Sequence, residues 1–166
     1  MAPARQIVYV DTNVVIEAVD TGCWAALLNK FDVRTVAEVR RETQAGNRLI
    51  KNYVVVDKTQ FDAKVTVAEV TKVQLAAAQL RTPLLNQIDP GERHLLAYVA
   101  MQDRNALLLT TGDRAAVRAA CALGLDERLR SLEELAGACG QRPAVADWFT
   151  KKWLSKVKTE FLLETI

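Results

Sequence analysis

The chain has 166 residues, half of them hydrophobic and a quarter charged, with a formal net charge of +2. That length suits one domain able to bury its own core, and there is no internal repeat or low-complexity tract. No apolar run approaches the ~20 residues of a membrane span, no signal-peptide pattern opens the sequence, and Cys23, Cys121 and Cys139 are too few and too scattered for a disulfide framework; they read as small buried hydrophobes in a reducing, cytoplasmic setting.

Ile7-Val8-Tyr9-Val10 is an unbroken apolar run, the pattern of a strand covered on both faces, and it stops abruptly at Asp11-Thr12-Asn13. Helices are expected over about 12–19 and 23–29. A short strand at 32–35 then leads into a helix ending near 45. Tyr53-Val54-Val55-Val56 reads as a further strand, and the Ala- and Val-rich stretch 65–81 as an amphipathic helix stopped before Pro83. A helix at 91–103, a strand at 106–110, a helix at 114–123, a short strand near 128–131 and a helix at 132–138 follow. Alternating strands and helices predict a three-layer α/β/α fold around a central parallel sheet of four or five strands.

Gly137, Gly140 and Pro143 mark the one boundary in the pattern. Residues 1–140 therefore read as the domain and 141–166 as a C-terminal helical extension. In that extension Val145, Trp148, Phe149, Trp153, Val157 and Phe161 recur every three or four residues, the stripe of one amphipathic helix. Such a stripe needs cover, either the parent domain or a second chain; a homodimer with the tail at or beside the interface is expected. The extension carries five basic and three acidic side chains, so residues 1–140 hold seventeen of each and sum to zero.

Acids punctuate the ends of the predicted strands. In an open α/β sheet the ligand crevice lies beyond the carboxyl ends of the strands, where Asp11 follows the first strand and Asp113 follows Leu107-Leu108-Leu109-Thr110-Thr111-Gly112. Each is also a plain helix N-cap. Val33-Arg34-Thr35-Val36-Ala37-Glu38 places a third acid early in a helix, with Glu42 one turn later on the same face. Asp89-Pro90-Gly91-Glu92 supplies the fourth, in a spacing that a capping box with proline at the first helical position also explains. Four carboxylates sharing a crevice repel one another unless protons or cations neutralise them. With one histidine in the chain, His94, and no Cys/His pair at zinc spacing, an all-oxygen set suits Mg2+ or Mn2+. The chemistry such a site permits is metal-assisted phosphodiester hydrolysis. If four acids are committed to metal, the remaining surface of 1–140 is net basic, which suits a polyanion.

These residues resemble the PIN-domain nucleases. Val8-Tyr9-Val10-Asp11-Thr12-Asn13 looks like the opening motif, Thr35-Val36-Ala37-Glu38 the second, Asp89-Pro90-Gly91-Glu92 with Leu95-Leu96-Ala97 the third, and Leu109-Thr110-Thr111-Gly112-Asp113-Arg114 the fourth. Leu123-Gly124-Leu125 and Ser131-Leu132-Glu133-Glu134-Leu135 resemble the exit of the domain, so the likeness spans roughly 5–138. The resemblance implies a divalent-metal endoribonuclease acting on single-stranded RNA, with Asp11, Glu38, Glu92 and Asp113 as the acidic ring. Of these, Asp11, Glu92 and Asp113 would be the metal ligands, with Asn13 and Thr111 as hydrogen-bonding neighbours. Many small members are VapC-type toxins paired with an antitoxin protein.

The sequence also departs from the family. Many relatives carry an acid or Asn where this chain has Gly112, Glu42 is an alternative to Glu38, and residues 47–88 match nothing specific. A PIN-like scaffold that binds nucleic acid or a partner without turnover is the main alternative. A phosphatase using Asp11 as nucleophile would want a carboxylate where Asn13 stands, and a receiver domain would want a lysine after a late strand.

Overall fold

The computed structural model describes residues 3–45 and 54–165. Four parallel strands, β1 (Ile7–Val10), β2 (Asp32–Val36), β3 (Thr66–Ala68) and β4 (Leu107–Thr110), form one sheet in the order β3-β2-β1-β4. The chain builds outward from β1 through β2 to β3, then returns to place β4 on the other side of β1. Tyr9 pairs with Arg34 on one side and Leu109 on the other. The switch point of the sheet is thus between the carboxyl ends of β1 and β4, where a doubly wound sheet opens a crevice.

Helices cover both faces, which is why β1 and the Leu107–Leu109 run of β4 are apolar. Tyr9, Leu107 and Leu109 face one core, with α6 (Pro90–Val99), α7 (Arg114–Ala122) and part of α5 (Lys72–Arg81). Val8, Val10 and Val33 face the other, against α1 (Thr12–Asp20), α2 (Trp24–Lys30), the Phe61 side chain of α4 (Lys58–Lys64) and α8 (Leu132–Ala138). Helix α3 (Ala37–Gln44) follows β2 directly and packs on α6 and α1. No helix among the described residues is long and apolar enough to cross a membrane.

Several elements differ from expectation. Tyr53 lies outside the described residues, and Val54–Val56 form no strand. The position beside β2 is taken instead by β3, drawn from the stretch expected to be helical. The β-branched run Val65-Thr66-Val67 prefers the pleated sheet. Thr71 and Gln74 then form a capping box that starts α5 only at Lys72. Helix α4, capped by Asp57 accepting from the Gln60 N–H at 2.9 Å, was not expected. The strand expected near 128–131 reduces to a single parallel bridge between Leu109 and Leu129. The tail is a 3-10 turn, Asp147–Phe149, followed by α9 (Lys151–Glu164), because Thr150 takes the N-cap by accepting from Trp153 N–H. Phe149, Leu154 and Val157 are buried, whereas Trp148 is about half exposed (51%).

Candidate functional site

Asp11 leaves β1 fully buried and ends the strand with two commitments. Its Oδ1 accepts the Val14 N–H at 2.8 Å, capping α1, and its Oδ2 accepts the Thr111 hydroxyl. The cap and the crevice are therefore not rival roles, since one oxygen serves each. Asp113 repeats the device across the switch point: its Oδ1 accepts the Ala116 N–H at 2.8 Å and caps α7. Thr111 links the two, because its Oγ1 donates to Asp11 and accepts the Asp113 backbone N–H at 3.3 Å. Thr35, on β2, donates to the Val10 carbonyl at 2.7 Å and pins the end of β1.

Glu92 sits in the first turn of α6, only 5% exposed. No capping box forms there. Asp89 makes no side-chain cap, and Glu92 Oε2 is buried without a hydrogen-bond partner. The start of α6 is served instead from α3: Glu42 Oε1 accepts the Gly91 N–H at 2.9 Å, and its Oε2 accepts the Thr12 hydroxyl at 2.7 Å. A Cβ at position 91 would stand 2.4 Å from Glu42 Oε2, so glycine is what lets this carboxylate approach the helix end.

Glu38 and Glu42, both candidates for the second acid, are placed differently. Glu38 lies one turn away, held by the guanidinium of Arg41, which keeps its carboxyl below the usual range. Glu42, with Asp11, Glu92 and Asp113, makes the group that the structure brings together. Asn13 is exposed on α1; the neighbouring Thr12 is the residue that reaches an acid. Sequence spacing had left Glu38 and Glu42 open, and the signal that separates them is Gly91, a residue without a Cβ beside an N-terminal helix turn.

The electrostatics are those of an unneutralised acidic centre. Desolvation raises Asp11 to about 6, against the lowering effect of its two hydrogen bonds, with Asp113 and Glu42 adding repulsion. Burial first, and then Asp11, Asp113, Asp89 and Glu42, push Glu92 up to about 9. Among the described residues no three His, Cys, Asp or Glu side chains converge in ready metal-ligating geometry. The donor set nevertheless fits a hard cation: two buried carboxylates, Asp11 and Glu92, repelled by the half-buried Asp113 and Glu42, with the Glu92 Oε2 left unpaired. Burying such charge unpaired is costly, and a divalent ion would relieve both the desolvation and the repulsion.

Comparison of the chain with protein-family models and with curated proteins finds no match.

Proposed function

We propose that the chain is a Mg2+- or Mn2+-dependent endoribonuclease of PIN-like design, hydrolysing phosphodiester bonds of single-stranded RNA in the cytoplasm. The observation that carries this reading is a pair of buried carboxylates with raised proton affinity, Asp11 and Glu92, flanked by the half-buried Asp113 and Glu42 near the switch point of a parallel sheet. Asp11, Glu92 and Asp113 would hold the cation. When bound, a divalent ion in such a site activates water and offsets the charge that develops on the phosphate. Thr111 would hold Asp11 Oδ2 while accepting the Asp113 backbone N–H, so that one hydroxyl ties the two strand ends together, and Val14 N–H holds the other Asp11 oxygen on α1. Glu42 fixes the spacing between α1 and the start of α6, and with it the place of Glu92. Asn13, exposed in the first turn of α1, would donate to a phosphate oxygen of the bound RNA.

Asp11→Asn tests the reading, because Asn caps a helix as well as Asp does. Mn2+-dependent cleavage of single-stranded RNA should fall on the order of a hundredfold or more while the fold persists. An unchanged rate removes the catalytic claim.

One observation favours the alternative of a PIN-like scaffold with weak or no turnover. Gly112 supplies no donor beside Asp113, and the space its side chain would use is filled by Phe149. Parent protein that binds RNA but cleaves none with Mn2+ would select that alternative. Pairing with an antitoxin belongs to the same proposal. A small adjacent reading frame whose product co-purifies with the chain and suppresses cleavage would support it.

A further inference from the structure

The turn between β4 and α7 carries two of the residues on which the site depends, Thr111 and Asp113, with Gly112 between them. Gly112 has no positive φ, unlike Gly22, Gly124 and Gly140 among the described residues. Backbone conformation therefore does not demand a glycine at 112; space does. A Cβ there would lie 2.4 Å from Phe149 Cε1, 2.7 Å from Cδ1 and 3.0 Å from Cζ. The ring is 4% exposed and belongs to the core formed by Val10, Val14 and Val15, under the start of α1.

The segment that delivers Phe149 is tied down on both sides. Before it, Ala146 N–H donates to Glu17 Oε2 on α1 at 2.7 Å. After it, Lys151 N–H donates to Glu133 Oε1 on α8 at 3.1 Å. Helix α9 then runs along α7, with Arg114 paired to Glu160 at 2.6 Å, Arg118 paired to Glu164 at 2.8 Å, and the Arg118 guanidinium 5.4 Å from the Phe161 ring centroid. The C-terminal segment thus bridges the helix that follows Asp11 and the helix that follows Asp113, and its ring presses on the residue between Thr111 and Asp113.

We propose that Phe149 is a positioning residue for the acidic site: its ring, seated where a side chain at 112 would stand, holds the β4–α7 turn so that Thr111 and Asp113 keep their places against Asp11. The C-terminal segment is then a working part of the site and not only a cover for apolar surface. The inference rests on the metal-site reading above. It accounts for two departures together, since the loss of a side chain at 112 and the presence of a tail ring are halves of one packing arrangement.

Size exchange at the two positions tests this. The variants are Phe149→Ala, Phe149→Leu, Gly112→Ala and the double variant Gly112→Ala/Phe149→Ala, with Leu154→Ala as control. Leu154 is as buried as Phe149 and lies in the same segment, so its loss reports general destabilisation. Three quantities are read on each: melting temperature, Mn2+ affinity by titration calorimetry, and hydrogen exchange at the Ala116 amide, which Asp113 caps. Phe149→Ala should weaken Mn2+ binding about tenfold, the scale seen when support for metal ligands is removed. It should also speed exchange at Ala116 and lower kcat on RNA with KM unchanged. Phe149→Leu should restore most of each effect, and the double variant should bind Mn2+ better than Gly112→Ala alone. Leu154→Ala, whose side chain packs on α7, should lower the melting temperature and speed Ala116 exchange while leaving Mn2+ affinity as in the parent. Should Phe149→Ala fail to fold, Phe149→Leu against Gly112→Ala and the double variant carries the same comparison. Phe149 variants that match Leu154→Ala in all three readouts overturn the positioning role while leaving the metal-site reading intact. A parent protein that binds no Mn2+ overturns both.

Discussion

Replacing Glu92 by Gln should stabilise the metal-free protein, and the size of the gain should depend on pH. The Glu92 carboxyl rises from its ordinary value of 4.5 to about 9 because it is buried among other acids. Between those values the native state holds a proton that the unfolded chain has released, so stability falls as pH rises through the window. The contribution is intact below pH 4.5 and is lost progressively as pH climbs toward 9. At 1.36 kcal/mol per pH unit, keeping the side chain neutral at pH 7.5 costs about 4 kcal/mol as a ceiling, and about 3 kcal/mol once the shared repulsion of Asp11 and Asp113 is allowed to relax. Gln has nearly the shape of the neutral acid and carries no such cost. In EDTA at pH 7.5 the variant should therefore melt about 6–12 °C above the parent, at about 2–4 °C per kcal/mol for a chain of this size. At pH 5 the gap should shrink to about 1–2 °C. Millimolar Mn2+ should reverse the order, raising the parent by mass action and the variant little. Scanning calorimetry across pH 5–8.5, with EDTA or Mn2+, reads all of this. A Glu92→Gln protein no more stable than the parent at pH 7.5, or a gap that does not change with pH, would refute the picture of an unneutralised buried acid.

Mn2+ affinity should rise with pH from about 6 to 9, because Asp11 and Glu92 must release protons to bind a cation; calorimetry in buffers of different ionisation heat will count those protons, and zero proton release contradicts the shifts. Glu42→Ala should cost about 1–3 kcal/mol by stranding Thr12 and the Gly91 N–H, and should depress cleavage, whereas Glu38→Ala should cost under about 1 kcal/mol, as a partly exposed ion pair does, and leave cleavage unchanged. Gly91→Ala should resemble Glu42→Ala, since the added methyl takes the place of the Glu42 carboxylate; equal effects of Glu38→Ala and Glu42→Ala would undo this assignment. The full chain should run as a homodimer at micromolar concentration with the tail at or beside its contact, where Trp148, Leu162 and Leu163 stand 51%, 48% and 65% exposed: Leu163→Lys should give a monomer by light scattering, and a monomeric parent would rule the dimer out. Cutting after Gly140 should expose the α7 surface now under Leu154 and Val157 and yield an aggregating product.

The sequence carried the centre of this fold better than its edge. β1 and the Leu107–Leu109 run of β4 are legible because both faces are covered, so the run must be apolar, and because each is followed by an acid that caps the next helix. β3 is not, since Thr66–Ala68 is three residues long, lies at the sheet edge and has one exposed residue; its pattern merges with the helix after it unless Thr71 and Gln74 are read as a capping box. Residues Val54–Val56 mislead in the opposite direction. They have strand composition but no ladder to join, and only Val56 is buried, against the α1–α2 side.

The acidic site divides along the same line. Asp11 and Asp113 follow from strand ends and Glu92 from its helix start, all of them local features. Glu42 does not, because what selects it over Glu38 is a contact forty-nine residues away with Gly91. Phe149 is further removed still, joining a turn that ends at Asp113 only through the tertiary fold. Local chemistry names residues able to act, and long-range packing chooses among them. Acids at strand ends are therefore written more plainly in the sequence than the glycines and aromatic rings that admit them. Here those two signals are of one kind: at both 91 and 112 the missing Cβ is occupied by a side chain from elsewhere, the Glu42 carboxylate in one case and the Phe149 ring in the other. A glycine next to a candidate acid, with no positive φ to require it, is thus a sequence-level pointer to a partner that arrives only on folding.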